Sequence, residues 1–369
     1  MTKINKFANF IKSYGSFIKI KSSLGSAMHF FKSQLKIALV TAVLIGLAPQ
    51  AQAFDRAKLL QSFFSIVMIK GYTADGSMAY GSGVVVGPNK IVTNCHIFRK
   101  TPEPFVSRGE DTYRITQVQA DRYYDICLVG TEQTPFQAAE IGSVTQMKKG
   151  EEIIGMGHSS GNPSPVNANG ALKSVYPFNH AYIIRSSARF TMGASGSGLF
   201  DSQGRLIGIN TFKSPGRNAY FYALPIEWLA NVEKQPIETK FPIEGKTFWE
   251  EDDEQKPYFM QIATPELNED WGKLAAISEK WTKAEPNNDE AWYELGNAMD
   301  HLNKKSDAET AYRRAIQINK GHTEALYALG LIALNKGNQK EAKEIKLAIL
   351  DIDPELSEAL DKEIIKSEK

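Results

Sequence analysis

The residue pattern of this chain becomes helical near residue 264, and that change constrains the fold more than any other feature. Between residues 54 and 234, glycines and turn signals separate short runs of β-forming residues, such as those at 83–86 and 126–129. Many short strands at close spacing are typical of an all-β barrel or sandwich. Beyond Thr264 the sequence is rich in Ala, Leu, Glu and Lys and follows a helical pattern. The sequence therefore predicts a multidomain protein, with an all-β part followed by an all-α part.

The helical part, residues 264–369, contains a repeat with a period of 34 residues. Positions that match across one period are Trp292 and Leu326, Leu295 and Leu329, and Gly296 and Gly330. The pattern resembles the tetratricopeptide repeat, a helix–turn–helix unit whose small residues let paired helices pack closely, with units at 289–322 and 323–356. The resemblance implies a scaffold that binds a peptide or a protein partner. The alternative is a helical cap that only stabilises or oligomerises the chain.

The segment between the two parts, residues 235–263, loses the periodicity of both. It carries a run of five acidic residues at 250–254. Runs of like charge are usually solvated. We therefore expect a solvated linker between the two domains.

The first 53 residues contain seven lysines and no acidic residue. A 12-residue apolar run at 37–48 follows the basic stretch, and a site with small residues ends at Ala53. This order is typical of a secretory signal peptide cleaved after Ala53, with translation starting at Met28. The alternative, an uncleaved anchor, is disfavoured because a helix needs about 20 apolar residues to span a bilayer. We therefore expect an exported protein, bacterial periplasmic or secreted, with no stable membrane span after cleavage.

The formal charge of +1 hides an uneven distribution. Without residues 1–53 the chain holds 36 Lys and Arg against 42 Asp and Glu, so the expected mature protein is mildly acidic. No overall basic field predicts binding to nucleic acid. The two cysteines form no Cys–His cluster, so neither a metal ion nor another cofactor is expected.

Three short segments of the β part carry residues suited to acyl transfer by a serine. His96 ends a β run, Asp125 opens the apolar strand at 126–129, and Ser195 lies in a glycine-rich bend. A serine nucleophile needs a base to take its proton and a carboxylate to orient that base. It also needs two backbone N–H groups aimed at the developing oxyanion, and glycines permit the tight backbone that this demands. The chain order His, Asp, Ser is that of chymotrypsin and differs from the order in subtilisin and the α/β-hydrolases.

Residues 54–234 resemble a chymotrypsin-fold serine protease, and most closely the trypsin-like HtrA-type catalytic domains of bacteria. The resemblance rests on three blocks in order and spacing: GSGVVVGPNKIVTNCHI, DRYYDICLVG and GASGSGLFDSQGRLIGINTF. It implies two six-stranded β-barrels with the active site in the cleft between them. His96 would be the general base, Asp125 its orienting carboxylate and Ser195 the nucleophile. The N–H groups of Gly193 and Ser195 would form the oxyanion hole.

Asp121 and Ser197 are the nearest alternatives to Asp125 and Ser195. Only Asp125 directly precedes the apolar strand, which favours it over Asp121. A glycine lies two residues before Ser195, whereas a serine lies two residues before Ser197. The geometry of an oxyanion hole therefore favours Ser195.

The two cysteines lie beside two of the expected active-site residues. Cys95 directly precedes His96, and Cys127 lies two residues after Asp125. If the His and Asp side chains meet, the two cysteines come close together beneath them. A Cys95–Cys127 disulfide is then expected in an oxidising compartment, with a pair of buried free thiols as the alternative.

The resemblance also places the primary substrate pocket. Its wall would come from Thr211, Phe212 and Lys213, and its interior from residues around Arg189 and Tyr220. None of these positions is acidic, which disfavours substrates with Lys or Arg before the scissile bond. Tyr220 favours a small or β-branched side chain there, whereas Arg189 favours an acidic one.

These observations predict an exported serine endopeptidase that hydrolyses polypeptide substrates through an acyl-enzyme intermediate. The tetratricopeptide-like region would recruit substrate or a protein partner. The alternative is a catalytically silent protease-fold scaffold that acts as a protein-binding module. An intact set of catalytic residues counts against that alternative.

Overall fold

The computed structural model describes residues 56–215 and 219–368. The expected signal peptide at residues 1–53, its start at Met28 and its cleavage site after Ala53 lie outside the described residues. Within the part of the chain that is described, no helix is long and apolar enough to cross a membrane.

The first β-barrel combines apolar strands that are buried on both faces with a long strand that keeps one face exposed. Its strands are β1 (Ile66–Tyr72), β2 (Met78–Gly87), β3 (Lys90–Thr93), β4 (Phe105–Arg108), β5 (Asp111–Asp121) and β6 (Ile126–Thr131). They pair in the order β5-β4-β1-β2-β3-β6, and β5 also pairs with β6, which closes the barrel. Val67 and Ile69 of β1 belong to the interior cluster, whereas Ile66 belongs to a cluster shared with the second barrel. Because side chains alternate between the faces of a strand, burial of both faces explains the continuous apolar runs in the sequence.

The second β-barrel has the same number of strands and a closed ring of pairings. Its strands are β7 (Glu152–Gly157), β8 (Val166–Phe178), β9 (Ala181–Ser186), β10 (Ser197–Asp201), β11 (Leu206–Lys213) and β12 (Phe221–Pro225). They close in the order β10-β11-β12-β9-β8-β7. Its interior cluster includes Ile153, Leu199 and Ile207, none of which is exposed. The expected double β-barrel is thereby confirmed.

Two short helices flank the barrels along the chain. Helix α1 (Arg56–Phe64) precedes β1, and helix α2 (Leu229–Val232) follows β12. The Ser62 hydroxyl of α1 donates a hydrogen bond of 2.6 Å to the carbonyl of Gly204 in the turn between β10 and β11. The start of the described chain is therefore attached to the second barrel.

The segment at 235–263 is ordered against the barrels, so the expectation that it is solvated is wrong. It contributes a short strand, β13 (Ile237–Glu238), which pairs with β5. Ile243 is buried in the cluster of the first barrel, and Phe248 is fully buried in the cluster that joins both barrels to the helices. Residues 252–254 of the acidic run are exposed, whereas Phe248 and Trp249, directly before the run, are packed. Apolar residues next to the acidic run, rather than the run itself, decide where this segment lies.

The helical part consists of antiparallel pairs that follow the 34-residue repeat. Its helices are α3 (Tyr258–Gln261), α4 (Ala263–Leu267), α5 (Trp271–Ala284), α6 (Asp289–His301), α7 (Lys305–Ile318), α8 (Thr323–Asn335), α9 (Gln339–Leu350) and α10 (Pro354–Ser367). Asn288 caps α6 by accepting hydrogen bonds from Glu290 and Ala291. A Cβ added at Gly296 would lie 2.6 Å from the Tyr312 ring, so a side chain there would push α6 and α7 apart.

The second barrel meets the helical part across a cluster of largely buried charges. Lys149, which precedes β7, places its Nζ 2.7 Å from Glu324 and 3.6 Å from Glu290. Burial alone would raise the pKa of Glu290, but the Lys149 charge holds it well below its usual range. Burial and the nearby Glu266 raise the pKa of Glu294 well above its usual value, which favours its neutral form. A buried carboxylate without a counter-charge is costly, so this contact depends on Lys149.

Replacing Lys149 with Met should lower the free energy of unfolding because it removes the positive charge that Glu290 and Glu324 share. Glu290 is then left with the weaker contacts of His322 and Arg185. We expect a loss on the order of 2–3 kcal/mol, near the low end for one missing partner of a buried pair. Urea denaturation at neutral pH measures it, with Lys148→Met at the exposed neighbouring position as the matched control. Equal effects of the two substitutions would show that the charge cluster does not hold the helical part on the barrel.

Candidate active site

The pairing of β3 with β6 brings His96 and Asp125 together. Thr93 at the end of β3 lies opposite Cys127 on β6. His96 follows β3 in a short 3-10 helix, Cys95–Phe98, and Asp125 directly precedes β6. Cys95 and Cys127 form a disulfide at the same place, with their Cα atoms 5.1 Å apart. The covalent bond and the strand pairing therefore fix the backbone on both sides of the His–Asp pair.

The Asp125 carboxylate is fully buried and accepts two hydrogen bonds from His96. The His96 Nδ1 lies 2.7 Å from Asp125 Oδ2, and the His96 backbone N–H donates to Oδ1 at 2.9 Å. Asp125 has a φ of +58°, an uncommon conformation for a residue other than glycine, and it aims the side chain back at His96. An imidazole held in this way keeps one tautomer, with the other ring nitrogen left to act as a base. The His96 side chain is 22% exposed, so that second nitrogen has access to the cleft.

A third donor to Asp125 comes from the segment after the barrels. Trp249 Nε1 donates to Asp125 Oδ2 at 3.2 Å. The indole also packs edge-on against the His96 ring at 5.6 Å between centroids, and it stacks on Phe212 at 5.9 Å. Trp249 therefore covers the His–Asp pair and contacts both barrels.

An ion pair holds the Trp249 segment in place. Glu250 forms a bidentate pair with Arg99, with both N–O distances at 2.6 Å. Thr247 and Glu250 form a capping box at the start of the short helix Phe248–Glu250. Sequence reasoning missed these residues because the acidic run suggested a linker. The T-x-x-E pattern at 247–250 is a signal for a helix start, yet it gives no information about contact with Asp125.

Ser195 lies in a bend whose shape depends on glycine. Gly193 and Gly196 have φ values of +91° and +82°. A Cβ added at Gly196 would lie 2.1 Å from the Ser82 carbonyl oxygen, so no other residue fits there. The Ser82 N–H donates to the Ser195 carbonyl and the Ser82 hydroxyl donates to the Gly193 carbonyl, both at 2.8 Å. Ser82 therefore holds the bend from the side of the first barrel.

The peptide between Met192 and Gly193 has a fixed orientation. The Met192 carbonyl accepts a hydrogen bond of 2.7 Å from the Ser160 N–H. Because the N–H and C=O of a trans peptide point in opposite directions, the Gly193 N–H points away from Ser160. Gly193 and Ser195 line a cavity of about 410 Å³ together with His96. This arrangement suits a site that stabilises a negative oxygen with backbone N–H groups.

His96, Ser195 and Trp249 line two cavities. The one of about 410 Å³ is also lined by Gly193, and the other, of about 960 Å³, extends towards the helical part.

Asp121 and Ser197, the alternatives to Asp125 and Ser195, are not among the residues that line these two cavities. Asp121 Oδ1 accepts from the Tyr124 N–H at 3.1 Å, and the buried Ser197 hydroxyl accepts from Asn210 at 3.0 Å.

The residues expected to form the primary pocket are divided between two places. Thr211, Phe212 and Lys213 line the larger cavity. Arg189 packs over the Phe221 ring at 5.9 Å, and Tyr220 lies under the guanidinium of Arg185 at 4.5 Å. These two residues are not among those that line either cavity. Within the described residues, no group of three or more His, Cys, Asp or Glu side chains is placed to hold a metal ion.

The Arg99–Glu250 pair should make a pH-dependent contribution to stability. The hydrogen bond from Arg99 lowers the pKa of Glu250 to about 2, so the pair stabilises the fold above about pH 4.5 and is lost as the pH falls towards 2. Glu250→Gln should cost about 1 kcal/mol in unfolding free energy at pH 7, and this difference from wild type should shrink at pH 3 and below. Urea denaturation at several pH values measures it, with the exposed Glu254→Gln as control. A difference that stays constant with pH would contradict the assignment.

Comparisons with known proteins agree with this architecture in three segments. The profile of the Trypsin-like peptidase domain matches residues 81–209. Two profiles of the Tetratricopeptide repeat match residues 289–322 and 323–356. The two repeats begin at the first residues of α6 and α8, and they contain the helix pairs α6–α7 and α8–α9.

Curated relatives are similar to part of the chain. A probable periplasmic serine endoprotease, DegP-like, of Hahella chejuensis is 27% identical over 169 residues, which cover 43% of this chain and 36% of that protein. The anti-sigma-I factor RsgI9 of Acetivibrio thermocellus is 24% identical over 175 residues, covering 46% of this chain and 24% of that protein. The chain thus spans about a quarter to a third of the length of these relatives.

Among solved structures, the Rv3671c protease from M. tuberculosis in its active form is similar at 17% identity and a TM-score of 0.45, covering 52% of this chain and 91% of that one. The match to the Trypsin-like peptidase domain lies within the two barrels, and the matches to the repeats lie in the helical part. The protein therefore contains a trypsin-like peptidase domain, matched at residues 81–209, followed by two tetratricopeptide repeats at residues 289–356.

Proposed function

We propose that this protein is a serine endopeptidase in which Ser195 is the nucleophile, His96 the general base and Asp125 the orienting carboxylate. The observation that carries the proposal is the buried Asp125 carboxylate, bonded to His96 Nδ1 at 2.7 Å, in a cleft that Ser195 also lines. The domain match and the serine endoprotease among the relatives support a peptidase.

The proposed reaction proceeds through an acyl-enzyme. The Ser195 oxygen attacks the carbonyl carbon of the scissile peptide bond, and its proton passes to His96 Nε2. The N–H groups of Gly193 and Ser195 stabilise the negative oxygen of the tetrahedral intermediate. His96 then donates its proton to the leaving amine as the C–N bond breaks. A water molecule, deprotonated by His96, attacks the ester, and the proton returns to Ser195 as the acid product leaves.

Asp125 supports this cycle through its position rather than by transferring a proton. Its carboxylate holds His96 Nδ1 protonated, which leaves Nε2 free to accept the Ser195 proton. The negative charge also stabilises the imidazolium that forms halfway through each step. Burial strengthens this interaction, because no water competes for Asp125.

We further propose that the protein is exported and that its repeats contact a protein partner or the substrate. Residues 1–53 have the pattern of a signal peptide, and the Hahella chejuensis relative is described as periplasmic. The exposed Leu347, Leu350 and Ile365 on α9 and α10 are apolar surface that a partner would cover.

Covalent labelling with a fluorophosphonate probe tests the peptidase proposal. The wild-type protein should become labelled because the probe reacts with an activated serine hydroxyl. Ser195→Ala should abolish labelling, whereas Ser197→Ala should retain it, since that buried hydroxyl already accepts a hydrogen bond from Asn210. A folded wild-type protein that takes up no label would support the alternative of a silent protease-fold scaffold.

Trp249→Phe should reduce kcat because it removes the third donor to Asp125 while keeping an aromatic ring on His96. We expect a loss of about tenfold in kcat, equivalent to about 1.4 kcal/mol in the activation barrier. KM should change little if the effect is on the orientation of the catalytic pair. Peptide hydrolysis under steady-state conditions measures both constants. Trp292→Phe on α6 removes a similar indole hydrogen bond, to the Pro286 carbonyl, and serves as the control.

A further inference from the structure

The larger cavity beside Ser195 lies between two distant parts of the chain. One wall is formed by the end of β11 and the residues after it, 211–215, together with Tyr222 of β12. The other wall comes from residues 253–265 and from α5. The cavity has a volume of about 960 Å³, more than twice the 410 Å³ of the other one. The helical part therefore supplies a wall of the space next to the proposed nucleophile.

This cavity carries an excess of positive charge. Its charged residues, apart from His96, are Lys213, Lys256, Lys273 and Lys280 against Asp253 and Glu254. Lys256 and Asp253 form an ion pair at 2.7 Å and so compensate each other. The other three lysines lie within ion-pair distance of no described carboxylate, and they outnumber Glu254. This local excess is opposite in sign to the mildly acidic composition of residues 54–369.

The smaller cavity carries a smaller excess of positive charge. Its Arg99 is paired with Glu250, which leaves Lys100 as its remaining charged side chain besides His96. Both cavities are therefore positive, with an excess of one charge in the smaller and of two in the larger, and in the larger cavity the lysines lie on both walls. Apolar side chains, including Phe212, Met260 and Ile277, line the larger cavity between the lysines. A ligand for this cavity combines apolar side chains with carboxylates.

We propose that the cleft between β11 and α5 binds an extended segment of the polypeptide substrate and selects Asp or Glu side chains in it. This inference rests on the proposed function, since it takes the occupant to be the chain that Ser195 cleaves. The lysines that carry the selection lie on both walls, with Lys213 on β11 and with Lys273 and Lys280 on α5. The carboxylates selected by Lys273 and Lys280 lie beyond the residues at the scissile bond, because α5 is the far wall from the barrel.

The strength of the selection follows from the exposure of these lysines. All three are exposed, so each contributes a screened attraction. We expect each to change kcat/KM by about two- to fivefold, and together to favour Glu over Lys by about tenfold or more at low ionic strength. The preference should weaken in 0.5 M salt, where charges are screened beyond a few ångströms.

Paired fluorogenic peptides test the proposal with the full-length protein. A sequence that the protein cleaves is first identified by mass spectrometry of a digested, unfolded protein. Glu, Gln or Lys is then placed at each position from two to five residues on either side of the cleaved bond, and kcat/KM is measured. Wild type should prefer Glu at positions on one side only. The double variant Lys273→Glu, Lys280→Glu should lose or reverse this preference.

Lys283→Glu is the matched control, since it makes the same charge change at an exposed lysine of α5 that lines neither cavity. It should leave the preference of the wild type unchanged. The absence of a preference for Glu would overturn the proposal. A preference that the double variant retains would also overturn it.

Binding to the Ser195→Ala protein separates this proposal from the proposed function. Fluorescence anisotropy with the Glu and Lys peptides reports on the cleft without any cleavage. If the wild type takes up no fluorophosphonate and the Glu peptide still binds more tightly, the peptidase proposal fails and the charge selection stands. If labelling succeeds and both peptides bind equally, the peptidase proposal stands and the charge selection fails.

Discussion

The burial of one carboxylate, Asp125, is the constraint on which the rest of this structure depends. A charged group removed from water is stable only if hydrogen bonds replace its hydration. Asp125 receives these bonds from the backbone and ring of His96 and from Trp249. The strand pairing, the disulfide and the packing of residues 247–250 all place donors around the same two oxygens. The candidate site is thus a consequence of satisfying a buried charge.

Local pattern predicts the all-β part and the helical repeats, whereas the two closed barrels and the His–Asp contact are predicted through the resemblance of three sequence blocks to chymotrypsin-fold proteases. Short apolar runs and turn signals predict strands, and the 34-residue period predicts paired helices. Asp125 could be preferred to Asp121 because it directly precedes an apolar strand. The position of Trp249 could not be predicted, since it is 124 residues from Asp125 in the chain and no periodicity links the two. The acidic run at 250–254 indicates that part of this segment is exposed, but it does not indicate that Trp249 packs against the His–Asp pair.

The contact between the second barrel and the helices shows a related limit. Lys149, Glu290 and Glu324 are residue types that usually lie on the surface, and nothing in the sequence separates them from the other charged residues. Only the fold reveals that they meet. Lys149 pairs with Glu290 on α6 and with Glu324 on α8, so one side chain next to the second barrel contacts two different helices. The helical part is therefore positioned, and not merely attached, relative to the cleft.

The position of Trp249 determines how much of the chain is needed to support the His–Asp pair. A fragment that stops at residue 234 would contain both complete barrels and every residue of the His–Asp–Ser set. It would nevertheless expose the Asp125 carboxylate and deprive it of a donor, since Trp249 and its anchor Glu250 would be missing. The smallest unit that keeps all three donors to Asp125 extends past the barrels, to at least residue 250. The boundary of the unit that supports Asp125 therefore lies inside the segment at 235–263, which joins the barrels to the helical part.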